Sequence, residues 1–373
     1  MRENKKVVVA GHICLDITPL FPSEYNVEGN FLRPGEILNV GAAQVNAGGA
    51  VANTGLALNM LGAEVSLIGK VGNDEFGRMV MDCIESQRVK GARDMILSPN
   101  ASTSYSIILA PDGHDRMFLH SPGANDSFST GDLDYSRIRD AAIFHFGYPP
   151  LMAHMYANDG DELVRLFQDV KSLGVATSLD LASVDPRSDA AQADWDFILK
   201  RVLPYVDFFL PSAGELCSMI DKDRYSEWVE RAGDDDICSV LDVEKDVKPL
   251  AERLVNNYHA KAVMIKCGSK GIYYKTGALS DMLDIGANAA IKLPDWADME
   301  GYVRAYEPEI IRSSTGCGDT AIAAFLAGVL EGMSIKDCVR LAAAEGTCCL
   351  EGVDALSTLR TLSELQQMYL MGY

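Results

Sequence analysis

The sequence contains no apolar run long enough to cross a bilayer, and residues 2–6 are charged or polar, unlike the apolar part of a secretory signal. Its 9 cysteines are an odd number without CxxC spacing, which argues against both a disulfide framework and a zinc site. These absences predict a cytoplasmic protein with reduced thiols and no membrane partner.

Positive charge is scarce in this chain. The 373 residues include 33 Lys and Arg against 53 Asp and Glu, which gives a formal net charge of −20. Such a surface repels nucleic acids and anionic membranes, so neither is expected as a partner. An anionic ligand must therefore be held by local features, such as helix dipoles, a few cations and bound Mg²⁺.

No glycine-rich dinucleotide-binding turn follows the first predicted strand. Residues 10–15 read Ala-Gly-His-Ile-Cys-Leu, whereas a nicotinamide-binding fold places Gly-x-Gly-x-x-Gly at this point. A nicotinamide-dependent dehydrogenase is therefore a disfavoured alternative, which a lack of NAD(H) binding would exclude.

Apolar β-branched runs alternate with helical segments along most of the chain. Residues 6–10 form a predicted buried strand, 49–61 a helix and 64–69 the next strand, and residues 320–331 and 335–349 are predicted as closing helices. This alternation predicts an α/β fold, doubly wound, with a mainly parallel sheet and helices on both faces. Ligands of such sheets bind at the carboxyl ends of the strands.

Some segments do not fit this alternation and are predicted to lie outside the main sheet. Residues 17–45 and 98–121 contain alternating apolar positions and a Pro-Asp-Gly turn, which favour a small β flap or lid. Residues 221–246 are acidic and 281–309 carry two prolines, so both are predicted as surface insertions. We expect all of these segments to belong to a single domain, residues 1–373.

The stretch with the clearest chemical meaning is Thr315-Gly316-Cys317-Gly318-Asp319, which runs directly into an apolar helical segment. A helix start leaves backbone N–H groups unpaired and carries partial positive charge, and glycines let an anion approach them closely. Asp319 adds a carboxylate that can act as a base. This combination suits phosphoryl transfer from a nucleotide to an alcohol. The alternative is an ordinary loop and N-cap, where Asp is also favoured.

Motifs along nearly the whole chain resemble those of the ribokinase-like (PfkB-type) family of sugar and nucleoside kinases, in the family's order. They are a first strand that ends on Asp (10–16), a di-glycine loop (48–55), a Gly-x-Asp-x-x-Gly segment (69–77), a nucleotide-binding turn (266–271) and the 315–319 motif. The resemblance implies an ATP- and Mg²⁺-dependent kinase. Its substrate would be a hydroxyl, preferably a primary one, of a small sugar or nucleoside.

The resemblance also implies roles for individual residues. Asp319 is the expected general base, and the amides of Gly316, Cys317 and Gly318 are expected to form an anion hole for the transferring phosphate. The remaining implied roles are substrate binding by Asp16, Gly48, Gly49 and Asn53, nucleotide binding by Gly268, Lys270 and Gly271, and ordering of Mg²⁺ through water by Glu215.

The sequence departs from the family pattern at two positions. Ser313 stands where the last motif often opens with Asp, and Ser212 stands where the family's Asn-x-x-Glu motif has Asn. These departures keep open the alternative of a catalytically silent regulator that binds sugar or nucleotide on the same fold. Activation by a monovalent cation also stays open. Some family members dimerise through the flap, so a homodimer is a further expectation.

Overall fold

A computed structural model describes residues 6–22, 34–87, 89, 94–111, 116–289 and 291–371 of the chain. The strands in this part of the chain are β1 (Lys6–Gly11), β2 (Cys14–Pro19), β3 (Ala43–Gly48), β4 (Glu64–Ile68), β5 (Lys70–Gly72), β6 (Ile96–Ser98), β7 (Tyr105–Leu109), β8 (Met117–Ser121), β9 (Ile143–Gly147), β10 (Ala176–Leu179), β11 (Phe208–Phe209), β12 (Ala262–Lys266), β13 (Ile272–Thr276) and β14 (Glu300–Val303).

The helices alternate with these strands. They are α1 (Gly49–Met60), α2 (Glu75–Ser86), α3 (Tyr135–Ile138), α4 (Ala153–Tyr156), α5 (Asp161–Ser172), α6 (Asp189–Gln192), α7 (Trp195–Val202), α8 (Ala213–Ile220), α9 (Lys222–Ala232), α10 (Ile237–Val240), α11 (Lys248–Tyr258), α12 (Leu279–Met282), α13 (Cys317–Leu330), α14 (Ile335–Leu350) and α15 (Leu362–Met371). None of the helices in the described ranges is long and apolar enough to cross a membrane.

The main sheet has eight strands in the order β14-β13-β12-β11-β10-β9-β1-β4. The strands from β4 to β12 in this order run parallel, whereas β13 and β14 pair antiparallel and complete one edge. The parallel strands are short apolar runs, and β9 is buried along its whole length, as expected for a sheet covered on both faces. The prediction of an α/β fold with a mainly parallel sheet is confirmed.

Side chains of β1 show how helices cover both faces. Val7 and Val9 pack into one hydrophobic core with residues of α1, α13 and α14, whereas Val8 and Ala10 pack into a second core with residues of α5, α7 and α11. Successive side chains of a strand point to opposite faces, so a strand that is apolar throughout serves two cores. Both faces are thus occupied by apolar packing, which leaves the strand ends for polar chemistry.

A second sheet has four strands in the order β3-β2-β7-β8. Strand β2 pairs antiparallel with β3 and parallel with β7, and β7 pairs antiparallel with β8. These strands come from the two segments for which the sequence predicts a flap, although residues 23–33 and 112–115 of those segments lie outside the described residues. Because β2 follows β1 and β3 leads directly into α1, this sheet is anchored at the carboxyl end of β1.

Parts of the two predicted surface insertions belong to the interior instead. Trp228 in 221–246 and Trp296 in 281–309 are fully buried, and β14, also in 281–309, forms an edge of the main sheet. Trp296 contacts Phe208, with the ring centroids 5.5 Å apart. The surface prediction is therefore wrong for these parts. Each segment is mostly polar in composition, which predicts an exposed position. Its single Trp nevertheless packs into the interior and holds the segment there.

The ring of Phe325 on α13 is fully buried, with its centroid 5.9 Å from that of Phe208 and 6.0 Å from that of Trp296. We expect Phe325→Ala to lower the free energy of unfolding by about 3–5 kcal/mol, because it removes a core ring and leaves a cavity. Phe197→Ala is the control, since Phe197 is 45% exposed, and it should cost under about 1 kcal/mol. Urea denaturation measures both, and equal losses would contradict the packing described.

Candidate active site

The first turn of α13 lies at the centre of the candidate site. Gly316 precedes it in a left-handed conformation (φ 77°), and a Cβ at this position would collide with Ala355. Glycine is therefore the residue that fits here without strain. Every residue from Asp319 to Leu330 is buried, because the helix is apolar on all sides. The amides of Cys317, Gly318 and Asp319 thus form the positive end of a buried helix.

The Asp319 side chain accepts hydrogen bonds from three side chains although the residue is only 3% exposed. Asn53 Nδ2 lies 2.9 Å from Oδ2, Thr54 Oγ1 lies 3.3 Å from Oδ1, and the Tyr148 hydroxyl lies 2.7 Å from each oxygen. Burial raises the pKa of Asp319, and the hydrogen bonds from Asn53 and Tyr148 oppose that rise. A buried carboxylate needs such donors to carry its charge.

Charged side chains at the carboxyl ends of the parallel strands surround Asp319. Lys266, the last residue of β12, forms a buried ion pair with Asp180, which follows β10, and its Nζ lies 3.0 Å from Oδ1. A Cβ placed on Gly318 would lie 3.5 Å from Lys266 Nζ, so the ammonium lies against the first turn of α13. Burial lowers the pKa of Lys266, but Asp180 and Glu215 more than reverse this, and the net shift is upward. Lys266 therefore places a cation beside the amides of that turn.

Asp16 and the two glycines predicted to bind substrate lie together at the junction of β2, β3 and α1. A Cβ on Gly48 would collide with the Asp16 carboxylate, and one on Gly49 would come within 2.6 Å of His12 Nδ1. Burial raises the pKa of Asp16 to about 6, and the charge of Asp319 adds to the rise. The two carboxylates are therefore close enough to act on each other. Glycine at 48 and 49 therefore leaves room for the Asp16 carboxylate and the His12 ring.

Asn53, predicted to bind a substrate hydroxyl, donates to Asp319 Oδ2, and the next residue of α1, Thr54, donates to Oδ1. The structure therefore brings together the residues predicted for substrate, anion and base. It also shows that Asn53 already has a partner within the chain. Substrate binding by Asn53 stays a prediction.

The residues predicted to bind nucleotide follow Lys266 directly. Gly268–Lys270 forms a short 3-10 turn between β12 and β13, which Cys267 N closes by donating to Gly271 O at 2.8 Å. The carbonyl of Lys270 accepts a hydrogen bond from the Tyr302 hydroxyl on β14. Lys266 therefore connects this turn to the candidate site, and the turn lies on the side of the site where β13 and β14 pair.

Glu215, predicted to order Mg²⁺, lies in the first turn of α8. Its Oε2 accepts a hydrogen bond from Ser212 N at 3.1 Å, and Ser212 Oγ accepts one from Glu215 N at 3.4 Å, which together form a capping box. Its charge acts on Asp180, Lys266 and Asp319. Among the residues that the structure describes, no group of three or more His, Cys, Asp or Glu could hold a metal ion. A single carboxylate of this kind suits contact with Mg²⁺ through water.

Arg116 connects the second sheet to the loop before α13. Its guanidinium donates to Ser314 Oγ at 2.6 Å and to Thr315 Oγ1. These partners directly precede Gly316 in the chain. The contact therefore holds the β8 end of the second sheet close to the first turn of α13.

The sequence assigns no role of their own to Thr54, Tyr148, Asp180 and Lys266, although the di-glycine loop contains Thr54 and the nucleotide-binding turn contains Lys266. Tyr148 and Asp180 directly follow β9 and β10, and Lys266 is the last residue of β12. All three therefore lie at the carboxyl ends of parallel strands, where ligands of α/β sheets bind. A search for polar side chains at predicted strand ends could have found them.

A buried acid in the first turn of a helix, at the carboxyl ends of a doubly wound sheet, is compatible with phosphoryl transfer to a small molecule. Residues 4–362 match the family model for pfkB family carbohydrate kinases. The chain therefore belongs to this family, and the protein is a sugar kinase, a phosphotransferase with an alcohol group as acceptor. The resemblance identified in the sequence is confirmed.

Individual relatives match most of the chain. It is 24% identical over 291 residues to an uncharacterized sugar kinase of Archaeoglobus fulgidus, which covers 78% of this chain and 93% of the relative. The chain is 25% identical over 320 residues to fructokinase-2 of Oryza sativa subsp. japonica, and this match covers 83% of the chain and 80% of the relative. The ribokinase of Arabidopsis thaliana, solved with ribose and ATP, superimposes with a TM-score of 0.68 at 18% identity over 99% of both chains. The fold is therefore that of ribokinase.

Lys266→Met tests the buried ion pair at the strand ends. Burial raises the pKa of Asp180 to about 8, although Lys266 opposes the rise, so the test is made at pH 9, where Asp180 is ionised. There we expect a loss of about 3–5 kcal/mol in the free energy of unfolding, because Asp180 is buried and would lose its counter-charge. Lys275→Met is the matched control, since its partner Glu300 has a side chain that is 33% exposed, and such pairs contribute about 0–1 kcal/mol. Chemical denaturation compares the two. A loss for Lys266→Met no larger than that for Lys275→Met would contradict a structural ion pair.

Proposed function

We propose that this chain transfers the γ-phosphoryl group of ATP to a hydroxyl, preferably a primary one, of a small sugar or nucleoside. Asp319 is the proposed general base. The observation that carries the proposal is the placement of the Asp319 carboxylate, which is buried, held by three donors and located in the first turn of α13. The family match supports the same chemistry.

In the proposed reaction the acceptor hydroxyl lies between Asp16 and Asp319. Asp319 takes the hydroxyl proton as the oxygen attacks the γ-phosphorus. The new oxygen–phosphorus bond forms while the bond from phosphorus to ADP breaks, so the products are a phosphate monoester and ADP. The proton then leaves Asp319 for solvent. A carboxylate is a sufficient base because the proton can move late in a loose transition state.

The amides of Gly316, Cys317 and Gly318 are the proposed anion hole. They lie at the start of α13, where the helix dipole favours negative charge, and the Cys317 amide also donates to Ser314 O at 3.4 Å. Donors fixed in this position would stabilise the charge on the phosphoryl group during transfer without first having to reorganise. Lys266 adds positive charge on the same side of the turn.

The proposed nucleotide site is the turn that contains Gly268, Lys270 and Gly271. Glu215 would hold the Mg²⁺ of bound ATP indirectly, through a water molecule. Contact through water is expected because one of its carboxylate oxygens already accepts a hydrogen bond from Ser212 N. Bound Mg²⁺ would neutralise charge on the nucleotide phosphates. Such local charge is needed because the formal net charge of the chain, −20, repels ATP at long range.

The second sheet (β2, β3, β7 and β8) is the proposed lid, and most of its residues come from the predicted lid segments 17–45 and 98–121. It carries Asp16 on β2, and Arg116 ties it to Ser314 beside the anion hole. A lid that encloses the sugar would exclude water, which otherwise competes with the sugar hydroxyl for the phosphoryl group.

We also propose that a second copy of the chain covers this lid. Strand β8 lies at the edge of the second sheet, and its apolar side chains Met117, Phe118 and Leu119 are 42%, 52% and 54% exposed. An apolar edge strand left uncovered is prone to pair with other chains. A homodimer through the lid would cover it.

A catalytically silent regulator is the alternative, and the substitutions at Ser212 and Ser313 are the observation that favours it. Both serines nevertheless keep local hydrogen bonds, because Ser212 caps α8 and Ser313 Oγ accepts from Thr315 N at 3.2 Å. An ADP-formation assay over a panel of sugars and nucleosides separates the two functions. A regulator would bind a ligand and form no ADP.

Asp319→Asn tests the proposed base. We expect turnover to fall by about 10²–10⁴-fold while ATP still binds, because an amide cannot take the hydroxyl proton. A coupled ADP assay measures turnover, and calorimetric titration measures ATP binding. Asp337→Asn is the matched control, since Asp337 also lies in the first turn of a long helix, α14, and contacts its N-cap Ser334. Unchanged turnover in Asp319→Asn would remove Asp319 from the mechanism.

The pKa of Asp16 predicts how substrate affinity depends on pH. Asp16 must be ionised to accept hydrogen bonds from two hydroxyls, and burial raises its pKa to about 6. We therefore expect sugar affinity to be constant above pH 7 and to weaken by roughly tenfold per pH unit well below 6. Calorimetric titration of the wild type and Asp16→Asn measures this. An unchanged affinity at pH 5 would contradict a direct role for the carboxylate.

A further inference from the structure

Tyr148 has a strained backbone and no role among those predicted from the sequence. It directly follows β9 and adopts a left-handed conformation with φ 65° and ψ 42°, which is rare for a residue with a large side chain. The next residue is Pro149, and a residue before proline is usually extended. Such strain persists only where surrounding structure imposes it, and it often marks a functional position.

This backbone conformation directs the Tyr148 side chain towards the Asp319 carboxylate. The Tyr148 hydroxyl lies 2.7 Å from both Asp319 oxygens, closer than the donors of Asn53 and Thr54 at 2.9 and 3.3 Å. The ring packs against His12, with the centroids 5.9 Å apart. Burial and the charge of Asp319 raise the pKa of Tyr148 well above its ordinary value. The hydroxyl therefore stays protonated and acts as a donor to the carboxylate.

We propose that Tyr148 is a positioning residue for the base, whose hydroxyl holds the Asp319 carboxylate ionised and aimed at the acceptor hydroxyl. This inference rests on the proposed function, because it assigns Tyr148 a task in that same reaction. Removing the hydroxyl would leave the buried carboxylate with fewer donors. Asp319 would then take up a proton at higher pH and lose its capacity as a base.

Other charges around Asp319 set the background against which Tyr148 acts. Lys266 at the end of β12 favours the ionised form of Asp319, and Glu215 of α8 disfavours it. The carboxyl groups on β2 and after β10 repel it when they are ionised, and thiols on β2 and α13 lie close enough to respond to its charge. In chain order these further groups are Cys14, Asp16, Asp180 and Cys317. All of them remain in place when only the Tyr148 hydroxyl is removed.

The test is the pH dependence of turnover in Tyr148→Phe. We expect the acidic limb of the kcat profile to move upward by about one pH unit, since a hydrogen bond to an ionised group has about that effect. Well below the wild-type midpoint of that limb kcat should fall roughly tenfold, while the plateau at high pH should stay within about threefold. A merely structural defect would lower kcat equally at every pH. An acidic limb that does not move would overturn the proposal.

Tyr135→Phe is the matched control. Tyr135 also donates its hydroxyl to a carboxylate, that of Asp169 at 3.0 Å, on α5 and away from the site. Its removal should leave the acidic limb in place. A shift as large as that of Tyr148→Phe would show that loss of any tyrosine hydroxyl alters the profile, and would overturn the assignment.

A measurement without turnover separates this inference from the proposed function. Carboxyl-¹³C NMR of Asp-labelled protein, with the Asp319 signal assigned through Asp319→Asn, should give a higher pKa in Tyr148→Phe than in the wild type. Tyrosine ¹³Cζ NMR of the wild type should show the Tyr148 signal following the same titration. If both hold and no sugar or nucleoside is phosphorylated, the proposed function fails alone. If the wild type is active and neither holds, the Tyr148 inference fails alone.

Discussion

The structure depends on one buried carboxylate, that of Asp319, which must stay charged in the first turn of an apolar, closely packed helix. Asp319 is 3% exposed, and every later residue of α13 is buried. Burying an ion is unfavourable by several kcal/mol unless donors or opposite charge compensate. The principal donors are Asn53 and Tyr148, which lie 266 and 171 residues away in the chain. The charged form of Asp319 is therefore stable only when α1, α13 and the end of β9 have assembled, so that the fold and the candidate site form together.

The site must also attract an anionic nucleotide to a strongly acidic protein. The formal net charge is −20, so long-range attraction does not bring ATP to the chain. Positive potential comes instead from local groups, namely the amides at the start of α13, Lys266 beside Gly318, and Arg116 on the second sheet. These act over a few ångströms in a region of low dielectric, where each interaction is stronger than in water.

Much of this could be predicted from the sequence, because the signals are repeated or chemically specific. Apolar runs predict the parallel strands, and the 315–319 motif predicts Asp319 beside a helix start. Residues recognised by no local pattern could not be found this way. Tyr148 and Asp180 are single polar residues at strand ends, and only the register of the sheet brings them to Asp319. Trp296 was likewise placed on the surface, since the polar residues around it outweigh one aromatic ring in composition.

The central claim is that Asp319 directs phosphoryl transfer to an alcohol rather than to water. ³¹P NMR of the enzyme with ATP, Mg²⁺ and each of a panel of sugars and nucleosides tests it most directly. The account predicts that at least one of these compounds gives a phosphate monoester resonance equal in amount to the ADP formed, and that Asp319→Asn gives almost none. Formation of inorganic phosphate alone, or equal monoester formation by Asp319→Asn, would contradict it.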